Sequence, residues 1–476
     1  EDQPISNRFL SSQDEREYKH PIIIAQCNAC GLIQLSDFFP WTQLTPKYDW
    51  INYNEPEKHL DDLTEKISNL PNITKKSKIL GISYKEDSTL NRLSNKGFNN
   101  LYRLTAQDLE ITNPKAGIEA IQGKFTLNKA KEFINKNGKY DIIIARHILE
   151  HTHNPSAFID ALKTLVAPDG YIIFEIPDTS YCLENNIYTT IWEEHTLYFT
   201  PFTFKAFFPF FGLQVRDFHS YNYPNENSLV AITTLSMPST THIDKHELEK
   251  EKLRASSFAD SFQNYKSNFL NFFSNYPGKI AFLGAGHHAC AFINYFDLGG
   301  YIDFITDDNP NKQGMFMPGS KVPVHNSDML LKKNIKLCLT ALSPESEERV
   351  FQKNIEFLSS GGEFVSIFSG SKHAIDKFIK NTSRDFKMRK TGEGIFYFNE
   401  DNPIIKKQDL DFLKLEADNV QTKRARFCAH TSPDDKMHDM LIVLNKDTYI
   451  RPHKHFKPES GHVIEGTADL VFFDDS

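Results

Sequence analysis

Apolar runs of strand length alternate with helical apolar spacing over most of this 476-residue chain. In the first half, KSKILGISY, YDIIIARHIL and YIIFEIP each predict a buried strand, because near-continuous apolar residues indicate burial on both faces. Between the last two runs, NPSAFIDALKTLVAPDG has apolar residues at helical spacing and then a Pro-Asp-Gly stop. This alternation predicts a parallel sheet with helices on both faces over residues 66–235.

The pattern divides the rest of the chain into further segments. Residues 1–65 carry a cysteine pair and an aromatic stretch, and residues 236–275 predict a long charged helix that connects two domains. Strand-like and helical stretches alternate again over residues 276–384, which predicts a second Rossmann-like domain. Short segments separated by turn residues over residues 385–476, among them FKMRK, GIFYF, MLIVLN and HVIEG, predict a β-barrel. The expected fold class is multidomain α/β plus β.

Composition narrows the classes of function. Lys and Arg number 54 against 62 Asp and Glu, and the net charge of −8 argues against a general nucleic-acid binder. No apolar run reaches the roughly 18 residues that indicate a membrane span. Six scattered cysteines predict no disulfide framework, which favours a reducing cytoplasm. The chain opens without Met and closes in a strand-like run, so we expect it to be cut at both ends.

Two short motifs predict metal ligands. In RPHKHFKPESGHVIEG, His453 and His455 point to the same side of a strand, and Glu459 follows a turn. Two imidazoles and a carboxylate suit Fe(II), Mn(II), Ni(II) or Zn(II), so a divalent metal of open identity is expected. In CNAC, Cys27 and Cys30 are one half of a four-thiolate zinc site; the alternative is two buried thiols.

Three segments carry a resemblance to a known family. PISNRF with IIAQCNACGLIQL, then IWEEHTLYFTPFTF, then ITDDNPNKQGMFMPGSKVPV, resemble the C-methyltransferases of deoxysugar biosynthesis over residues 1–380. The resemblance implies a zinc lobe, a domain that binds S-adenosylmethionine (SAM), a second Rossmann-like domain and a keto-sugar nucleotide substrate. It makes His195 the candidate base that removes a proton and Glu194 its partner. Tyr48 or Tyr53 is the candidate for stabilising the enolate.

Other candidates follow from position. His147, His151 and His153 crowd the end of the predicted fourth strand, where ligands of open α/β sheets bind, and the alternative for each is a histidine on the domain surface. Of these, His147 is the catalytic candidate. Gly284 and Gly286 open a helix and can hold a phosphate of the substrate. Asn227 is a further substrate-binding candidate. Nicotinamide binding is not expected, because the third glycine of that motif is missing.

The SAM loop departs from the family pattern E-x-G-S-N-D-G. Gly81 stands where the acid is expected, and Ser83 stands where a glycine is expected. Side chains at this loop can fill the space that glycines leave open. Asp108 is the first acid after the second strand, and Arg146 ends the fourth. Gly81, Ser83, Asp108 and Arg146 are therefore the cofactor-binding candidates, and two explanations stay open: SAM bound in a modified way, or a former methyltransferase.

The last segment resembles another family. RARFCAH, MLIVL and RPHKH resemble the WbuC-type cupins found with polysaccharide biosynthesis enzymes. This resemblance implies that His430 joins His453, His455 and Glu459 in a metal-binding pocket of a truncated barrel.

The sequence therefore predicts a SAM-dependent C-methyltransferase-like enzyme of surface polysaccharide biosynthesis, fused to a metal-binding cupin. The alternative is a degenerate methyltransferase scaffold that binds a sugar nucleotide, with isomerase or epimerase chemistry in the cupin. A third hypothesis is a non-catalytic binding protein. The expected partner is a nucleotide sugar, with no nucleic acid and no membrane span; the oligomeric state stays open, a homodimer being one expectation.

Overall fold

The structure is a computed structural model of the chain. It divides into two compact units, Glu1–Phe378 and Ile379–Ser476. Within the described ranges, no helix has both the length and the apolar character needed to cross a membrane. The described residues are 2–48, 50, 56–113, 117–223, 226–238, 243–379, 388–398, 403–405, 407–430, 435, 437–446, 448, 450 and 461–467.

The first unit begins with a lobe of short strands. Strand β1 pairs with β2, and β3 pairs with β4, both antiparallel. The elements of this lobe are β1 (Asp2–Pro4), β2 (Lys19–Pro21), β3 (Ile24–Gln26), β4 (Ile33–Leu35) and the helix α1 (Trp41–Leu44).

A six-stranded sheet follows, in the order β10-β11-β8-β7-β5-β6. Strands β6, β5, β7 and β8 are parallel, and β11 is antiparallel to both of its neighbours. Strand β9 pairs instead with β4, which ties the lobe to this region. The elements are α2 (Leu60–Ser68), β5 (Lys78–Gly81), α3 (Asp87–Asn95), β6 (Asn100–Arg103), α4 (Ile118–Lys124), α5 (Leu127–Asn137), β7 (Tyr140–Arg146), α6 (Pro155–Leu165), β8 (Val166–Pro177), α7 (Ser180–Glu184), β9 (Leu197–Tyr198), α8 (Pro201–Phe210), β10 (Leu213–Tyr221) and β11 (Ser228–Leu235).

The apolar run of β7 explains why this sheet has two covered faces. Ile143 packs into one core cluster, while Ile142 and Ile144 pack into the other. Successive side chains of a strand point to opposite faces, so helices on both sides must cover them. The following helix α6 starts where the sequence predicts, because the Asn154 side chain accepts a hydrogen bond from Ala157 N at 3.0 Å.

A second, all-parallel sheet has the order β14-β13-β12-β15-β16. Its first strand is central, as in Rossmann-like folds. The helix α9 before it is more than a connector, because it packs on both regions: Phe258 contacts Tyr188 at a ring separation of 4.5 Å, and Phe269 contacts Phe296 at 4.8 Å. The elements are α9 (Lys245–Asn275), β12 (Ile280–Leu283), α10 (His287–Tyr295), β13 (Phe304–Thr306), β14 (Val324–His325), α11 (Met329–Lys332), β15 (Leu337–Thr340), α12 (Pro344–Lys353), α13 (Ile355–Ser359) and β16 (Glu363–Ser366).

The second unit contains one four-stranded mixed sheet and a helix, Lys407–Asn419. Buried Leu413 and Ala417 of this helix pack with Phe396 and Phe427 of the sheet. The described residues do not confirm the predicted barrel, and residues 461–467 form no strand, so the strand predicted at HVIEG is wrong. The strands are β17 (Met388–Gly392), β18 (Ile395–Phe398), β19 (Arg424–Cys428) and β20 (Met440–Leu444).

Candidate functional site

A group of buried acids and histidines, here called the acid–base cluster, lies beyond the end of β7. Its members are Glu119, Glu150, His151, Glu194 and His195. The side-chain ligand atoms of Glu119, His151 and Glu194 lie within 4.8 Å of one another, as do those of Glu150, His151 and His195. Glu150 is 1% exposed and Glu119 is 4% exposed, whereas His195 is half-buried. His195 is therefore the member best placed to meet a substrate.

Three chain segments build this cluster. Glu119 lies on α4, and His151 lies on the 3-10 turn Leu149–His151 that follows β7. The imidazole Nδ1 of His151 lies 2.5 Å from Glu119 Oε1. The backbone N–H of Thr196 donates to the carbonyl of Glu150 at 2.7 Å, which fixes the segment of Glu194 and His195 beside the turn. The sequence separates these residues widely, and the fold brings them together.

The N-terminal lobe contributes directly to the cluster. Asn7 Nδ2 donates to Glu194 Oε1 at 2.9 Å, and the backbone N–H of Ser6 donates to Glu193 Oε1 at 2.5 Å. Both residues belong to the PISNRF segment that resembles the family's zinc lobe. The lobe therefore orients the carboxyl group next to the candidate base.

Burial and neighbouring charges shift the pKa values of Glu194 and His195 in opposite directions. Burial, with the charges of Glu119 and Glu193 adding to it, raises the pKa of Glu194 well above its usual range. Burial lowers the pKa of His195 well below its usual value, and positive charge at His151 adds to this effect. Burial opposes a charge on His151, yet the Glu119 carboxylate raises its pKa. The two shifts thus favour a neutral imidazole at His195 beside a protonated carboxyl group at Glu194, a base beside an acid.

A second set of buried charges, here called the ion-pair network, lies at the carboxyl ends of β5, β7 and β8. Glu175 is fully buried, and its carboxylate is 2.5 Å from Arg146 Nε, 2.7 Å from His59 Nε2 and 3.4 Å from His147 Nε2. Ser228 Oγ donates to it at 2.8 Å. Burial disfavours a charge on Glu175, but Arg146 first, with His147 and His59, holds its pKa well below the usual range.

The candidate base His147 belongs to this ion-pair network. Its backbone φ is +47°, and its Nδ1 lies 3.5 Å from Glu150 Oε1. Burial alone disfavours its charged form, but Glu150 and Glu175 raise its pKa to about 10. His147 is therefore a cation at neutral pH, so it does not compete with His195 for the role of base, and its own catalytic role stays a prediction.

The loop after β5 is filled by its own side chains. Glu86 is fully buried; it accepts hydrogen bonds from Ser83 N at 2.6 Å and from Arg146 N at 2.6 Å. A Cβ atom at Gly81 would lie 2.7 Å from the Glu86 Cβ, so only glycine leaves room for this carboxyl group. Burial raises the pKa of Glu86 to about 7, against the donors that favour its carboxylate.

Three sequence-predicted residues lie apart from both sets. The Tyr48 hydroxyl donates to the Phe9 carbonyl at 2.9 Å, and its ring stacks on Trp50. Asp108 is exposed and accepts from Thr105 N at 2.9 Å. Asn227 Nδ2 donates to Asp178 Oδ2 at 3.3 Å. Tyr53 lies outside the described residues.

The glycine-rich turn of the second sheet is partly occupied by a side chain. Gly284 has φ of +95°, and no neighbouring atom lies within 4 Å of a Cβ built at Gly284 or Gly286. However, the N–H of Ala285 donates to Asp307 Oδ2 at 2.9 Å, and Lys312 Nζ lies 2.9 Å from the same oxygen. Phosphate binding at this turn stays a prediction.

The predicted metal ligands are only partly within the described residues. Burial raises the pKa of the Cys30 thiol to about 11, while Cys27 is half-buried. These two thiols alone do not make a four-thiolate site, and the described residues add no third ligand beside them. In the second unit, the His430 ring stacks on His438 at 4.3 Å. His453, His455 and Glu459 lie outside the described residues.

Sequence reasoning missed several contributors. No recognisable spacing marks Glu119 of the acid–base cluster or Glu175 and His59 of the ion-pair network. The same holds for Asn7, which donates to the cluster, and for Glu86, which accepts from Arg146 N. Two of these had a signal: Asn7 lies in the PISNRF segment, and Glu86 stands where the pattern E-x-G-S-N-D-G, counted from position 81, also has an acid.

Comparisons with known proteins match most of the chain. The family described as "Methyltransferase domain" matches residues 58–217, and "C-methyltransferase C-terminal domain" matches residues 242–368. A domain of unknown function (DUF6016) matches residues 405–476. The C-methyltransferase NovU of Streptomyces niveus is 21% identical over 378 residues, which covers 76% of this chain and 90% of the relative. The chain is therefore an enzyme of the methyltransferase class, and the similarity supports a C-methyltransferase-like function.

Similarity to solved structures is weak. The CcbJ methyltransferase of Streptomyces caelestis is 10% identical, covers 40% of this chain and 100% of its own, and has a TM-score of 0.25. The PH0226 protein of Pyrococcus horikoshii is 12% identical, covers 42% of this chain and 100% of its own, and has a TM-score of 0.26. Scores this low carry no inference.

Proposed function

We propose that this protein removes a proton from the carbon beside the carbonyl group of a keto-sugar nucleotide, with His195 as the base. The observation that carries the proposal is the acid–base cluster, in which a half-buried imidazole of lowered pKa lies beside buried carboxyl groups. Proton removal of this kind is the first step of C-methylation, so the proposal agrees with the similarity to a C-methyltransferase.

The proposed step is balanced within the cluster. A neutral ring nitrogen of His195 takes the proton from carbon. The electron pair of the broken C–H bond forms the C=C bond of the enolate, and the π pair of the carbonyl group moves to its oxygen. An enolate oxygen needs a donor, and the protonated carboxyl group of Glu194 supplies one, as a neutral acid does in other enolising enzymes. Asn7 holds that carboxyl group through its other oxygen, and Glu119 holds His151.

The nucleotide part of the substrate is proposed to lie toward the second sheet. The His287 ring, at the start of α10, lies 4.4 Å from the ring of Trp192, only three residues before the candidate base. The glycine-rich turn, with Gly284 and Gly286, directly precedes this helix. This continuity supports a substrate that reaches from the turn to His195. Surface polysaccharide biosynthesis is the proposed context.

The residues at the end of β5 do not fit SAM, the methyl donor that the family resemblance implies. A glycine-lined loop is needed there, and the buried carboxyl group of Glu86 fills it. The proposed mechanism therefore ends at the enolate.

Deuterium exchange tests the proposal. The protein is incubated in D2O with a nucleoside-diphosphate keto-sugar, and the mass of the recovered sugar is measured by mass spectrometry. The wild type is expected to add one mass unit per exchanged position, and His195→Ala is expected to add none. Equal exchange by the two proteins would contradict the assignment of His195.

A further inference from the structure

We infer that this chain does not take up SAM at the edge of the six-stranded sheet, because Glu86, Arg146 and Glu175 occupy that edge. The inference concerns the methyl donor alone and does not depend on His195 being the base.

The topology identifies the place where a donor would bind. In open α/β sheets ligands bind outside the carboxyl ends of the parallel strands. In this sheet those ends belong to β5, which finishes at Gly81, and β7, which finishes at Arg146. Glu175 of β8 is the register partner of Arg146. The residues of the ion-pair network are thus the floor of the expected donor site.

The Arg146 side chain covers this floor. Its Nε contacts Glu175, and its NH1 donates to the carbonyl of Lys85 at 2.6 Å, so the guanidinium bridges β8 and the loop after β5. Arg146 is only 2% exposed. To bind the carboxylate of SAM, an arginine needs N–H donors that face solvent. The N–H donors of Arg146 instead point at Glu175 and at the carbonyl of Lys85.

The glycine at position 81 and the buried side chain of Glu86 depend on each other. The family's acid stands at position 81, but a side chain there would collide with Glu86 Cβ at 2.7 Å. With glycine at 81, Glu86 folds inward and accepts from Ser83 N, Ser83 Oγ and Arg146 N at 2.6–2.9 Å. The loop has therefore lost the acid at position 81, and it keeps an acid at position 86 whose carboxyl group is turned inward and bonded to the loop and to Arg146.

Opening this site would break buried charge pairs. Removing one partner of a buried pair leaves an uncompensated charge, and such a loss corresponds to roughly 100-fold to 4,000-fold in affinity. The affinity of any ligand that displaces Arg146 from Glu175 is lowered by this amount. Similarity to methyltransferase domains is compatible with this, since a few residues at one edge decide donor binding while the fold persists.

Calorimetric titration of the full chain with SAM, and separately with S-adenosylhomocysteine, tests the inference. The expected result is no saturable heat at millimolar ligand, with a cooperative thermal unfolding transition that the ligands do not shift. Saturable binding near one ligand per chain would overturn it. Arg146→Ala is a second test: the network predicts a lower unfolding temperature, and an unchanged one would show that Arg146 does not fill the site. Deuterium exchange without SAM reports on His195 independently.

Discussion

Arg146 Nε lies 2.5 Å from Glu175 Oε2, and both side chains are at most 2% exposed. This contact joins β7 to β8 at the edge of the sheet where the family resemblance expects a methyl donor. The pair and its neighbours have two consequences: they hold the sheet edge together, and they exclude a ligand from it.

The first consequence predicts a large loss of stability when the pair is broken. Arg146→Ala leaves Glu175 charged and buried, with His59, His147 and Ser228 still beside it, and we expect the free energy of unfolding to fall by about 3–5 kcal/mol. Denaturant unfolding followed by circular dichroism measures this loss. Arg92→Ala is the matched control, because Arg92 pairs with Asp61 at the surface, and its loss is expected to stay below about 1 kcal/mol. Equal effects of the two substitutions would refute the structural role of the network.

Glu194 is expected to be a neutral acid in the folded protein. Its raised pKa means that the folded chain keeps a proton that the unfolded chain releases above its usual pKa, so Glu194 contributes less stability as pH rises. Glu194→Gln keeps an acceptor for Asn7 and is neutral, so we expect it to be at least as stable as the wild type at pH 8. Glu194→Ala, which leaves the Asn7 donor unpaired, is expected to lose about 1–3 kcal/mol. Thermal melts at pH 5 and pH 8 compare them, and a Gln variant as unstable as the Ala variant would indicate a carboxylate instead.

The pH dependence of proton removal follows from His195. Its pKa is lowered by burial, so its neutral, basic form persists as pH falls through the ordinary histidine value of about 6.5. We expect the exchange rate to stay level from pH 8 to 6.5 and to fall only below that range. The same group predicts a loss of stability below about pH 6.5, because the unfolded chain binds that proton more readily than the folded one. A midpoint of the rate profile at or above pH 6.5 would place the reaction on another base.

The two predicted metal sites can be told apart by measuring the metal content of variants. Because Cys27 and Cys30 have no third ligand among the described residues, replacing both with serine is expected to leave the zinc content unchanged. His453→Ala with His455→Ala is expected to remove the metal of the second unit and leave zinc unchanged. Metal analysis of purified protein by mass spectrometry measures both. Loss of no metal in the histidine variant would count against the proposed pocket.

The sequence predicts the repetitive parts of this fold well and its charge networks poorly. The run in β7 is long and apolar because Ile142, Ile143 and Ile144 face two cores, and such a run can be recognised from the sequence alone. The neighbours Glu194 and His195 were found through a motif. Glu119, in contrast, lies 75 positions before Glu194, and nothing local in the sequence marks it. Whether a buried acid meets a histidine depends on tertiary packing, which spacing along the chain does not encode.

The departures at Gly81 and Ser83 also show that a local change in sequence does not reveal its tertiary contacts. Sequence reasoning identified the altered loop, but it left two explanations open, a modified SAM site and a lost SAM site. The structure adds that Glu86 folds into the space beside Gly81 and is bonded to Arg146. That contact joins residues 60 positions apart, and it shows that the altered loop is filled by a side chain.

Site-resolved deuterium exchange is the measurement that tests the central claim most directly. Proton NMR follows a nucleoside-diphosphate keto-sugar in D2O without SAM, with the wild type, His195→Ala and the control His219→Ala, whose histidine pairs with Asp217 on the exposed strand β10. The proposed function predicts loss of the signal of one proton beside the carbonyl with the wild type and the control, at a rate at least 100-fold above that with His195→Ala, on the order expected for a general base. Loss of that signal at equal rates in all three, or in none while the protein stays folded, would contradict it.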